Sequence, residues 1–374
     1  QSAKFDASGG TESILNVVLK KNRKAGYNGN IRAGIDSRGK INAGGDINIK
    51  QGKFNFFLGL DLRQRKSLSE GHTYRENIYS NKLQNTILDQ SSNSTNTGQF
   101  LFGRIGFDYL MDNRNSLTLS MSLPNGEFNS SQVDNIHIDT MSSPVKTQDA
   151  IRTTVNKRNF KNFGPALGYK HLFPKQGREL TADFNYNTSS NSGSGDYTTQ
   201  YYNTNGSILG DPALQRLTSS GSSTYWTVQS DYTSPVGKGK FESGLRAAVR
   251  DNKNVNDNAA FDYDLNKFII IPSASSNYKY TDEVYAAYST YSNKLGENFS
   301  YQLGLRAESS QYRGTLLSTG ETFSNKYPIE FFPSVFVTQT LSPGQDMQLN
   351  YSRRINRPNF WQQIRYYDVS ELLN

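Results

Sequence analysis

The sequence predicts an all-β chain: a transmembrane antiparallel up-and-down β-barrel, present as an incomplete arc of about thirteen strands, with short periplasmic turns and long extracellular loops. Three observations predict it. Apolar and polar residues alternate with period two over stretches of about ten residues, the length a tilted strand needs to cross the hydrocarbon layer of a bilayer. Short turns alternate along the chain with polar segments of roughly 15 to 30 residues, and a soluble sandwich has no reason to place every long connection at one end. Aromatic residues gather where strands meet the short turns, as an interfacial girdle would.

Composition agrees with strands. Tyr (23) and Phe (21) raise the aromatics to 12%, while Asn, Ser, Thr and Gly are abundant, a mixture that disfavours helix and favours strands joined by polar turns. The low mean hydropathy does not oppose a membrane barrel, whose strands are apolar on one face only. No run of 18 apolar residues exists, so no transmembrane helix is expected. The chain starts at Gln1 with no charged-then-apolar leader, and reads as an internal piece of a longer protein. Without Cys there are no disulfides or thiolate metal sites. The net charge of +8 is spread over strands and turns without a basic run, which argues for a solvated surface and against nucleic acid.

In chain order, a short apolar strand at Ile14 to Leu19 is followed by the basic cluster Lys20 to Lys24. A strand near 28–36 leads into the hairpin that sets the pattern. Ile41, Ala43, Gly45, Ile47 and Ile49 oppose Asn42, Gly44, Asp46, Asn48 and Lys50, and Gln51-Gly52 turns the chain. Phe54, Phe56, Leu58, Leu60 and Leu62 then alternate with Asn55, Phe57, Gly59, Asp61 and Arg63. Long polar segments are expected as loops at 66–97, 125–148, 189–217, 252–276 and 310–326. Strands are expected between them, at 99–110 and around Leu117 to Leu123, 150–170, Leu180 to Tyr186, Trp226, Phe241 to Val249, 278–291, Phe299 to Ala307, 329–341 and Met347 to Tyr351. In a barrel, Ile47, Leu58, Leu119 and Leu303 face lipid. Asp61, Arg63, Arg104, Asp183, Glu242, Arg246, Arg250, Arg306 and Glu308 face the lumen; in a soluble sandwich or adhesin-like module they would face solvent.

Two stretches carry a family resemblance. Ser2-Ala3-Lys4-Phe5-Asp6-Ala7-Ser8-Gly9-Gly10, followed by Ile14-Leu15-Asn16-Val17-Val18-Leu19-Lys20-Lys21, resembles the end of the plug domain of TonB-dependent outer-membrane receptors. Asn350-Tyr351-Ser352-Arg353-Arg354-Ile355-Asn356-Arg357-Pro358-Asn359-Phe360-Trp361 resembles a mid-barrel motif of the same family in its Bacteroidota-type branch. The resemblance implies residues 1–24 as the C-terminal end of the plug and 25–374 as the N-terminal portion of a 22-stranded barrel. It implies a receptor importing a nutrient across the outer membrane of a Gram-negative bacterium. Its partners would be outer-membrane lipid, the inner-membrane TonB complex acting through the plug, the nutrient ligand and a surface lipoprotein. The chain departs from the family at Thr11-Glu12-Ser13, where small residues are more usual. A passive structural barrel is the alternative from another class.

No catalytic chemistry is legible, so a non-enzyme without cofactor is expected. His72, His137 and His171 never stand at ligand spacing, and no phosphate loop, nucleophile elbow or paired acid–base set appears. Asp251-Asn252-Lys253-Asn254-Val255-Asn256-Asp257-Asn258 lacks the Gly and terminal Glu of a calcium loop. The expected ligand contacts are aromatics that no strand uses. These are Tyr201 and Tyr202 in the loop near 189–217, and Trp361, Tyr366 and Tyr367 beside Arg357 and Arg365, where flat rings can stack and guanidiniums can meet anionic groups.

Overall fold

Period-two alternation becomes one continuous antiparallel sheet in the computed structural model, which describes residues 25–79, 84–141, 144 and 146–355. The strands are β1 (Gly26–Ile35), β2 (Ile41–Gln51), β3 (Phe54–Asn77), β4 (Thr86–Leu110), β5 (Asn115–Thr140), β6 (Lys146–Leu172), β7 (Glu179–Tyr202), β8 (Ile208–Val236), β9 (Gly239–Asp262), β10 (Lys267–Ile270), β11 (Ser276–Leu295), β12 (Phe299–Leu316), β13 (Thr322–Ser342) and β14 (Gln345–Ser352). Thirteen of them follow one another in strict sequence order, and the short β10 pairs only with β9. β1 and β14 are the two ends of this path, so among the described residues the sheet is an unclosed arc.

Register follows the hydrophobic pattern, because a slip of one residue would exchange the two faces. Ile47 lies opposite Leu58, Leu58 opposite Ile105, Ile105 opposite Met121 and Met121 opposite Pro165. Ile47, Leu58, Leu119 and Leu303 are all exposed, on the convex face. The nine charged residues expected to face the lumen share the other face, and Arg306 is only 1% exposed there. The turn at Gly52 takes φ 56°, a left-handed conformation that a residue without Cβ adopts at no steric cost.

The aromatics near the short turns form a belt on the convex face. Phe54 stacks on Tyr109 at 4.9 Å between ring centroids, and Phe56 lies 6.0 Å from Phe107. Phe173 meets Tyr232 edge-on at 6.0 Å, and Tyr301 stands 6.2 Å from Tyr291 and 6.3 Å from Phe299.

The polar segments expected as loops run mostly as strand. β3 to β9 and β11 to β13 are 18 to 29 residues long, about two to three times what the bilayer crossing requires. The segment 66–97 pairs with itself from Lys66–Thr97 to Asn77–Thr86, leaving only 78–85 between the strands. Likewise β5 and β6 stay paired to Thr140–Lys146, and β7 and β8 to Tyr202–Ile208, with one register shift between Thr199 and Tyr201. Long excursions at one rim are therefore present, but as hairpin extensions. Ser and Asn have weak strand propensity alone; neighbours already aligned by the apolar band zip them into the ladder, where side chains bond across strands. Asp134, for example, accepts hydrogen bonds from Ser92 Oγ (2.6 Å), Gln132 Nε2 (2.8 Å) and Gln90 Nε2 (3.1 Å).

Hydrogen exchange tests this difference. Amides of 67–77 and 86–97 are expected to show protection comparable to that of 99–108, whereas unpaired loops would exchange on the timescale of free peptide.

Candidate functional site: the concave wall

The concave face holds its charges by pairing them across glycines. Arg32, Gly44 and Asp61 form one register row, and the guanidinium passes over the glycine to donate to Asp61 at 2.6 Å, with a second contact to Asp46 at 3.2 Å. A Cβ at Gly44 would fall 2.6 Å from the Asp61 carboxylate. The same device recurs in the row Asp231–Gly244–Tyr288–Arg306–Phe332. Over Gly244 the Tyr288 hydroxyl donates to Asp231, which also accepts from Gln229 Nε2 at 2.8 Å. Arg306 binds Glu308 through both Nε and Nη2 at 2.7 Å, and each of these side chains is 1% exposed. Buried ions must be paired to be tolerated, so this row is costly to break.

Towards the far rim the wall changes character. Phe100, Phe102, Phe128 and Phe160 form a concave aromatic patch, with Phe128 and Phe160 stacked at 6.1 Å and Phe100 and Phe102 at 6.5 Å. Phe128 and Phe160 lie over Gly98 and Gly126, their register partners, where any Cβ would collide with the ring. Beside the patch is a hollow of about 610 Å³ lined by Arg65, Asn96, Phe128, Asn156, Arg158 and Tyr197 among others. Arg152 stands 4.8 Å over the ring of Tyr197, one of the lining residues, and 3.2 Å from Gln215 Oε1. Rings, amides, hydroxyls and guanidiniums on one hollow wall suit a polar or anionic solute with flat apolar faces.

Of the sequence-expected site residues, Tyr201 and Tyr202 are among the described residues. Tyr201 and Tyr202 are the last residues of β7, not part of a loop, and consecutive strand residues point to opposite faces. Tyr201 packs on the concave side against Leu88, Ile136, Ile138 and Ala150. Tyr202 lies on the convex side beside His137, Asp149 and Ile151, so the two rings do not form one platform. Arg357, Trp361, Arg365, Tyr366 and Tyr367 lie outside the described residues. Sequence reading missed the Phe patch. Its signal was Phe100-Leu101-Phe102, two aromatics in phase with the polar face, of which Phe100 pairs with Gly126 and Phe102 with Pro124.

At the same rim, His137 Nδ1 lies 2.6 Å from Asp149 and Nε2 lies 3.4 Å from Asp139. The hydrogen bond to Asp149 leads in raising the imidazole above its ordinary pKa, and both carboxylates add to it against some desolvation. His72 makes a separate 2.7 Å contact to Asp89. Among the described residues no group of three or more such side chains is arranged to hold a metal ion.

Alternating strands with an apolar exterior, an aromatic belt and a charged, hollow interior wall define a membrane-spanning β-barrel protein. A sequence profile of the outer membrane protein beta-barrel family matches residues 171–371, which is 201 of the 374 residues, and the chain belongs to that family. It is accordingly a protein of the outer membrane in contact with its lipid. Among solved structures it is similar to the outer membrane protease OmpT from Escherichia coli, at 12% identity and a TM-score of 0.21 over 79% of this chain and 96% of that one. It is also similar to the toluene transporter TodX from Pseudomonas putida, at 10% identity and a TM-score of 0.28 over 87% of this chain and 84% of that one. Neither likeness bears on what this chain does. Among curated proteins none is significantly similar in sequence.

Three outcomes test the site geometry. Gly244→Ala should destabilise the barrel by about 1–3 kcal/mol in denaturant titration, because its Cβ would meet Tyr288 at 2.5 Å and Asp231 at 2.6 Å. Leu58→Arg, in the middle of the lipid-facing band, should cost about 2–4 kcal/mol when unfolded from vesicles. The imidazolium of His137 contributes stability that is fully present below its ordinary pKa of 6.5 and lost as pH rises through the raised folded-state value. Amide protection in 135–139, corrected for intrinsic rates, should therefore be lower at about pH 9 than at about pH 6, and the difference should vanish in His137→Gln.

Proposed function

We propose that this chain is the central part of a TonB-dependent receptor that imports a nutrient ligand, a transporter rather than a catalyst. Residues 1–24 are the end of its plug domain and 25–374 the first portion of its barrel. The observation that carries this reading is the concave wall. A passive structural barrel needs only filling side chains inside, whereas here paired charges, one pair of them buried, give way towards the far rim to an aromatic and amide-lined hollow. The two motif resemblances at Ser2 to Lys21 and Asn350 to Trp361 support the same reading. Ligand contact falls to the rim aromatics Tyr201 and Tyr202, to Arg357, Trp361, Arg365, Tyr366 and Tyr367, and to the hollow beneath. Energy comes through the inner-membrane TonB complex acting on the plug, and a surface lipoprotein is a fitting accessory partner.

In cells carrying the full-length gene, uptake of the nutrient should fall to background when the TonB complex is deleted, while the receptor remains in the outer membrane at normal abundance. Uptake unchanged by that deletion, or a signal peptide encoded directly before Gln1, would leave the passive-barrel reading. Alanine at Tyr197 and Arg158 should weaken ligand binding at least about tenfold without lowering abundance, as loss of a stacked ring or a charged hydrogen bond would.

A further inference from the structure

The convex face above the apolar band carries a stripe of cations across four adjacent strands. Lys253 of β9 and Lys279 of β11 are direct register partners on that face, so two ammonium groups extend from Cβ atoms roughly 5 Å apart. Like charges placed directly opposite destabilise a sheet, and both residues are exposed, with no ion pair to another described residue. Arg313 of β12 is one diagonal step from Lys279, since Lys279 pairs with Thr315. Lys326 of β13 is a further step along, opposite Gln311. The nearby carboxylates are already engaged: Asp251 accepts from the Thr281 hydroxyl at 2.6 Å, and Glu283 binds Arg313.

The stripe parallels the upper edge of the lipid-facing band. That edge runs through Val249, Tyr285, Ala307 and Phe331, descending by two residue pairs of register from β9 to β13, with the exposed Ile329 one step above it on β13. The cations descend by the same two pairs. They stand four residues beyond Val249, six beyond Tyr285, six beyond Ala307 and five before Phe331 along their own strands. At about 3.3 Å per residue and a tilt near 45°, this is roughly 9–14 Å above the hydrocarbon, within reach of the headgroup layer for long side chains that bend towards it. Lys253, Lys279 and Arg313 lie where β9, β11 and β12 have paired neighbours on both sides, so the face is complete there; at Lys326, β13 pairs with β12 alone among the described residues.

We propose that Lys253, Lys279, Arg313 and Lys326 seat the phosphate groups of lipid headgroups in the outer leaflet. A phosphate between Lys253 and Lys279 turns a repulsive pair into two charge-assisted contacts, and Arg313 supplies a planar fork beside it. The lipid thereby staples β9 to β13 at the height where the strands leave the bilayer.

The test uses the full-length protein in neutral detergent, doped with phosphatidic acid or with diacylglycerol, which differ only in the phosphate. Phosphatidic acid should raise the Tm by at least about 3 °C and diacylglycerol should not. In Lys253→Gln/Lys279→Gln the rise should fall by more than half, while the variant in undoped detergent should be no less stable than wild type, since the like-charge opposition is gone. Lys326→Gln, at the end of the stripe, should lose a smaller part of the rise and serves if the double variant does not fold. No rise in the wild type would overturn the proposal, as would an equal rise in the double variant. An equal rise with inorganic phosphate at the same concentration would also overturn it, by making the stripe a site for a free anion.

Discussion

Every strand here depends on the pairing of its backbone. In hydrocarbon an unpaired N–H or C=O costs several kcal/mol, so a segment crosses only as a helix or as a strand with neighbours on both sides. The sheet meets this with an unbroken antiparallel ladder in sequence order, whose two ends among the described residues are β1 and β14, with the short rim strand β10 paired only to β9. Once the ladder exists, side-chain alternation is rigidly tied to it. One register choice sends Leu58 and Leu119 to lipid and Asp61 and Arg306 inward together.

The inner wall shows how charges are accommodated on such a sheet. Adjacent strands are about 4.8 Å apart, too close for two large side chains to lie over the same row without competing. Glycine at the middle position of a row lets groups from the strands on either side meet above it, as Arg32 and Asp61 do over Gly44, and Tyr288 and Asp231 over Gly244. Asp231 and Tyr288 belong to β8 and β11 and are 57 residues apart in sequence, so the contact ties three strands rather than two. The aromatic rings over Gly98 and Gly126 use the same space for a flat apolar surface, and this turns a tiled wall into a hollow one.

Outside, the face is organised by depth. Aromatics mark the border near the short turns, aliphatic side chains fill the band, and cations and hydroxyls follow above it. Beyond that border the same strands continue as largely polar hairpins, held by the ladder and by contacts such as those of Asp134 and His137. These extensions raise the rim well above the bilayer and carry the hollow wall with them.

What the sequence determined by itself was the alternation. It identified the crossing strands, their two faces, the short turns and the inward charges, because a period of two in residue polarity is a local property that any partner strand must respect. It did not determine where strands stop. Ser91 to Asn96 and Asn187 to Ser194 have the composition of loops, and only neighbouring strands already in register convert them to ladder. Nor could it show that Tyr201 and Tyr202 part to opposite faces or that Phe128 covers Gly98, since each depends on a strand end or a partner far away in the chain. The opposed Lys253 and Lys279 are likewise invisible in a linear reading: 26 positions separate them, and register alone sets one ammonium against the other.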